Sequence, residues 1–124
     1  MYKVLVADDE HNIRNILDFS LHAEGFLVVS ALNGEDAFKL AVESKPDLVI
    51  LDVMMPGQGG METCRALKDD QRTAAIPVIL LTALSGREDR EAGTAAGADA
   101  YITKPFSPQK VIDIVLDLLG VPSD

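Results

Sequence analysis

The 124 residues contain a single cysteine, Cys64, so no intrachain disulfide can form, and a reducing compartment is expected. No thiolate-stabilising motif surrounds Cys64, which reads as a packing residue near a helix. Long apolar runs are missing too. None approaches the length that spans a bilayer, and the first residues carry no signal-peptide pattern, so a cytoplasmic chain with no membrane partner is expected. Positive charge is scarce: 11 Lys and Arg face 20 Asp and Glu, for a formal net charge of −9. No basic patch breaks that balance, which argues against direct nucleic-acid binding. His11 and His22 lack metal-ligand spacing and read as helix-surface residues. There is no repeat, no low-complexity segment and no internal linker.

What is present is a core-forming composition, 48% apolar, in a length that suits one domain. Short apolar runs alternate with helix-length segments. "YKVLVA" (2–7), "FLVVSA" (26–31), "DLVILD" (47–52), "IPVILLTA" (76–83) and "AYIT" (100–103) predict five strands. Between them the apolar period becomes helical: Ile13, Ile16, Leu17 and Leu21 share a face, as do Ala37, Leu40 and Ala41. Gly25 and Gly97 read as helix C-caps, and Asn33 or Gly34 as the start of the second helix. Strands each followed by a helix predict a parallel sheet covered on both faces, a three-layer α/β sandwich. A domain over 1–120 is expected, with 121–124, "GVPSD" less its glycine, as a tail or the start of a linker.

In an open α/β sheet, sites form beyond the carboxyl ends of the strands. Here the first strand ends in Asp8 and Asp9, the third in Asp52 and the fourth in Thr82, while the fifth leads to Lys104-Pro105. Each residue has an ordinary reading alone: Asp8 and Asp9 suit helix caps, and Lys104 a surface lysine. Jointly those readings weaken, because clustered carboxylates repel one another unless a cation joins them. An acidic, partly open, all-oxygen site suits Mg²⁺. Metal, lysine and hydroxyl together suit a phosphoryl group, and aspartate is a known nucleophile toward phosphorus. Asp52 is thus the candidate for phosphorylation.

Four stretches, "VLVADDE" (4–10), "VILDVMMPG" (49–57), "VILLTA" (78–83) and "GADAYITKPF" (97–106), are similar in content and order to the CheY-like receiver domains of two-component response regulators. The resemblance runs the full length of the chain. It implies the flavodoxin-like (βα)5 fold with strand order 2-1-3-4-5, an order for which the chemotaxis receiver is the standard illustration. It implies that Asp52 accepts a phosphoryl group from a sensor histidine kinase or phosphotransfer protein. Asp9 would be the main Mg²⁺ ligand beside Asp52, Asp8 would act largely through water, and the Met54 backbone carbonyl would complete the set. Lys104 would pair with phosphoryl oxygens, next to a cis Lys104-Pro105 bond. Thr82 and Tyr101 would be the switch, the ring rotating inward as the hydroxyl moves. That would reshape the surface of the fourth helix, fifth strand and fifth helix for a partner or output domain. Such a chain is a regulatory phosphoacceptor rather than an enzyme.

Several further expectations follow from particular residues. Gly59 stands where many family members have an acid, and the glycines of "PGQGGME" are expected to loosen that turn. The fourth helix, "GREDREAGTAAG" (86–97), is expected to anchor only through alanines and, with Gly93 inside it, to be the most mobile. By the resemblance, Met54 and Leu84 would neighbour the water that attacks the phosphoryl group; both are apolar, so slow self-dephosphorylation is expected. In the last helix Val111, Ile114, Val115 and Leu118 form one stripe, with Ile112, Leu116 and Leu119 a second. The second is either a wide core face or a contact for a partner or second copy, although Asp113 and Asp117 disfavour the arginine-paired homodimer of the winged-helix subgroup. Two other functions fit the sequence less well. A Mg²⁺-dependent phosphatase with an aspartyl nucleophile needs an acid two residues on, where Met54 stands. A flavin-binding module needs a phosphate loop after the first strand, where "ADDEHN" would repel phosphate.

Overall fold

The computed structural model describes residues 1–122. Five strands, β1 (Lys3–Ala7), β2 (Leu27–Ala31), β3 (Leu48–Asp52), β4 (Val78–Thr82) and β5 (Ala100–Thr103), alternate with five helices. These are α1 (His11–Ala23), α2 (Gly34–Ser44), α3 (Gly60–Asp69), α4 (Arg87–Ala95) and α5 (Pro108–Leu119). All strand pairs are parallel, in the order β2-β1-β3-β4-β5, as the resemblance implies. The five strands fall inside the apolar runs read from the sequence.

Alternation along the strands divides the core in two. Val4, Val6, Leu48, Ile50, Ile79, Leu81 and Ile102 meet α1 and α5 on one face. Leu5, Ala7, Val49, Leu51, Val78 and Leu80 meet α2, α3 and Ala96 on the other. Every residue of β3 and β4 is buried, which is why these strands read as unbroken apolar runs. The second stripe of α5 packs as well. Ile112 is buried, and Leu116 and Leu119 lie partly buried against the same core as Ile114 and Leu118. α5 therefore has a wide core face rather than a spare one.

Local signals set the helix ends. Asn33 caps α2 by accepting the Asp36 N–H at 2.8 Å, and Ser107 caps α5 by accepting the Lys110 N–H at 3.1 Å. Asp8 and Asp9 do not cap α1; its N-cap is Glu10, which makes no side-chain cap bond. Past Gly120, the Val121 N–H still returns to the Leu116 carbonyl at 2.9 Å; Ser123 and Asp124, in the expected tail, lie outside the described residues. Among the described residues no helix is long and apolar enough to cross a membrane.

Candidate functional site

Register brings the strand ends together. Ala7 of β1 pairs with Leu51, Asp52 of β3 with Leu81, and Thr82 of β4 with Thr103, so residues that leave these strands emerge on one rim. Asp52 lies there only 3% exposed and Asp8 only 1% exposed. Between them stands the ammonium of Lys104, with Nζ 3.3 Å from Asp52 Oδ2, 3.2 Å from Asp8 Oδ2 and 3.0 Å from Glu10 Oε1. Lys104 precedes Pro105 through a cis peptide bond. One cation thus serves three carboxylates.

The electrostatics follow from that ratio. Burial pushes the Asp52 carboxyl up to about 6, the Asp8 charge adds to the rise, and the Met54 N–H and Lys104 oppose it. Burial works against the Lys104 charge, yet the surrounding Glu10, Asp52 and Asp8 raise its pKa overall. Oxygens of Asp8, Glu10 and Asp52 all lie within 4.8 Å of one another, close enough to share one metal ion. The donors are hard oxygens in anionic excess, which fits Mg²⁺.

Asp9 is not brought into that cluster. β1 ends at Ala7 and the backbone bends at Asp9, so that Asp8 is buried in the site, Asp9 is exposed, and Glu10 reaches Lys104. Glu10 escaped the sequence reading, because residue type alone does not separate it from Asp9. Met54 donates its N–H to Asp52 Oδ1 at 3.1 Å and leaves its side chain 61% exposed.

The two expected switch residues meet through a third. The fully buried Thr82 hydroxyl accepts the Leu84 N–H at 3.2 Å, and the Tyr101 hydroxyl donates to the Leu84 carbonyl at 2.6 Å. Burial raises the Tyr101 phenol pKa, with the Asp89 charge adding and Arg90 opposing.

The turn after Asp52 is held rather than loosened by its glycines. Gly60 is buried, with space for a Cβ closed by the Asp52 carbonyl and by Val53 Cα, so α3 starts hard against the acceptor strand. The Gly59 carbonyl accepts the Thr63 N–H at 3.0 Å and the Thr63 hydroxyl at 2.9 Å. From α2, Glu35 Oε1 accepts the Gln58 N–H at 2.6 Å. Gly57, at φ +72, leaves the room Glu35 needs: a Cβ there would meet its carboxylate at 2.9 Å. Cys64 is fully buried, lends its S–H to the Ala96 carbonyl at 3.4 Å, and is pushed up to about 11 by burial, which suits an inert packing role.

Residues 4–116 match the family model for the response regulator receiver domain. Among solved structures, the BeF3-activated DrrB receiver domain is 39% identical, covers 97% of this chain and 98% of its own, and superposes with a TM-score of 0.87. The chemotaxis protein CheY4 of Vibrio cholerae is 30% identical over 95% of this chain and 98% of its own, with a TM-score of 0.90. The signal receiver domain of a signal transduction histidine kinase from Syntrophus aciditrophicus is 34% identical over 97% and 91%, with a TM-score of 0.90.

Proposed function

The chain belongs to the response regulator receiver domain family, and from that membership we propose that it is a phosphorylation-controlled switch whose acceptor is Asp52. One observation carries the reading: a carboxylate 3% exposed at the end of a buried strand, facing a lysine shared with two other acids. With its pKa pushed up to about 6, Asp52 is mostly ionised at neutral pH yet a better nucleophile than an ordinary carboxylate.

In the proposed reaction an Asp52 oxygen attacks the phosphorus of a kinase or phosphotransfer-protein phosphohistidine. The O–P bond forms, the P–N bond breaks, and the electron pair stays on the imidazole. Lys104 is already in place to exchange a carboxylate oxygen for a phosphoryl oxygen. Asp8, Glu10 and Asp52 are the carboxylates best placed to hold Mg²⁺. Family membership implies Asp9 as the main ligand beside Asp52, with the Met54 carbonyl completing the set. A bound Mg²⁺ supplies positive charge that offsets the phosphoryl oxygens. Beside Lys104, Ile13, Ile16, Pro105, Phe106 and Pro108 line a recess of about 210 Å³ that offers the donor protein an apolar surface.

The output is a change in the surface of α4, β5 and α5 that a partner or output domain reads, with Thr82 and Tyr101 as the moving parts. Met54, where an aspartyl phosphatase needs an acid, has no proton to give. The test is intact mass after incubation with a small acyl-phosphate donor. A Mg²⁺-dependent gain of one phosphoryl group, lost in Asp52→Asn, supports the reading; an equal gain in Asp52→Asn refutes it.

A further inference from the structure

Gly93 is the only buried residue of α4, and what lies over it is the Tyr101 ring. A Cβ at position 93 would stand 2.9 Å from Tyr101 Cδ2, 3.2 Å from Tyr101 Cε2 and 3.2 Å from Leu80 Cδ1. Real Cβ atoms do not tolerate the first of these, so the ring fits only because the helix is bare there. Three residues earlier on the same helix, Arg90 carries its guanidinium 5.2 Å from the ring centroid. At the ring's far end the hydroxyl is tied to the Leu84 carbonyl. The ring is gripped at its edge, its face and its tip.

We infer that Gly93 is the seat of Tyr101, and that the bare helix at this position, rather than an arriving phosphoryl group, sets where the ring rests. The sequence predicts that α4 anchors only through alanines; Ala96 does lie in the core, and Gly93 adds a second point of close contact. An added methyl would displace the ring rather than the helix, because the end of α4 is pinned. Ala96 is 3% exposed and accepts the Cys64 S–H at 3.4 Å, while the Ala98 N–H holds the Gly93 carbonyl at 3.1 Å. The ring, by contrast, can leave by one side-chain rotation between staggered states. Gly93 is therefore a positioning residue acting through Tyr101. On the proposed reading of α4, β5 and α5 as the output surface, the resting shape of that surface is written into α4.

The test uses the unphosphorylated chain, so its outcome is independent of whether Asp52 accepts phosphate. There is no tryptophan and there are two tyrosines, so Tyr2→Phe leaves Tyr101 as the sole tyrosine emitter. Acrylamide is the quencher, since a net charge of −9 would repel iodide. Gly93→Ala should raise the quenching constant severalfold with helix content by circular dichroism unchanged, and Arg90→Ala should change it far less. An unchanged constant in Gly93→Ala, or full exposure of the ring in Arg90→Ala, would overturn the assignment. A second comparison works even if the ringed variant folds poorly. In a Tyr101→Ala chain, Gly93→Ala should raise the urea midpoint, because alanine is the better helix former and no ring opposes it. A lowered midpoint there would place the clash elsewhere and sink the idea.

Discussion

Lys104 and Asp52, 52 residues apart in sequence, stand 3.3 Å apart at Nζ and Oδ2. The pair is not balanced, because Asp8 and Glu10 claim the same ammonium. Replacing Lys104 with methionine leaves buried carboxylates without a counter-charge. In metal-free buffer at pH 7.5, Lys104→Met is expected to lose about 3 kcal/mol of stability, less at pH 5 where Asp52 takes up a proton. Millimolar Mg²⁺ should recover most of the loss. Urea unfolding with and without Mg²⁺ at both pH values checks this; a loss indifferent to Mg²⁺ would count against a metal site.

Asp52 itself carries a stability cost. Its folded-state pKa of about 6 exceeds the ordinary 3.8, so the folded chain holds this proton more tightly than the unfolded chain. The penalty is absent below the ordinary value, grows as pH rises from about 4 to about 6, and is full above that. Asp52→Asn removes it, and should stabilise the metal-free protein by roughly 1–3 kcal/mol at pH 7.5 and by nearly nothing at pH 4. Thermal melts across that range check the sign; a variant less stable than the parent at pH 7.5 would contradict it.

Much of this was legible in the sequence, for physical reasons. β3 and β4 are buried on both faces and so appear as unbroken apolar runs. Acids that end such runs have to emerge at the rim, which located Asp8 and Asp52. Harder to read was which acid after β1 turns inward, because Asp9 and Glu10 are set by backbone direction rather than residue type. Glycines were least legible. Gly60 and Gly93 look like weak points in their own segments, yet each admits a close approach from the adjoining strand, the Asp52 carbonyl of β3 in one case and Tyr101 of β5 in the other. α5 showed two apolar stripes, and only their place in one core cluster with α1 and the sheet reveals that both are used.

Glu35 clamps the turn that follows the acceptor, through the Gln58 N–H at 2.6 Å. The clamp is exposed, so Glu35→Ala is expected to cost only about 1 kcal/mol globally. Its local effect should be larger: faster hydrogen exchange at the Gln58 amide, with the core strands unchanged. An unaltered Gln58 rate would show that α3 alone holds the turn.

Family membership implies that Met54 and Leu84 neighbour the water that attacks the phosphoryl group, and neither has a polar side chain. A phosphoryl group on Asp52 should therefore persist for minutes or longer. Leu84 bonds to Thr82 and Tyr101 through its backbone N–H and carbonyl, so Leu84→Gln keeps those bonds and adds a group that can orient water. It is expected to shorten the lifetime severalfold. Loss of label followed after removal of the donor gives both numbers, and a lifetime of seconds in the parent protein would refute the first.

Everything in the proposed switch depends on which carboxylate accepts the phosphoryl group. Phosphorylated protein treated with borohydride, which reduces an acyl phosphate to the corresponding alcohol, and then digested and mapped by mass spectrometry, tests it most directly. Reduction confined to Asp52 is the expected result. Reduction at Asp8, Asp9 or Glu10 with Asp52 intact would contradict the account.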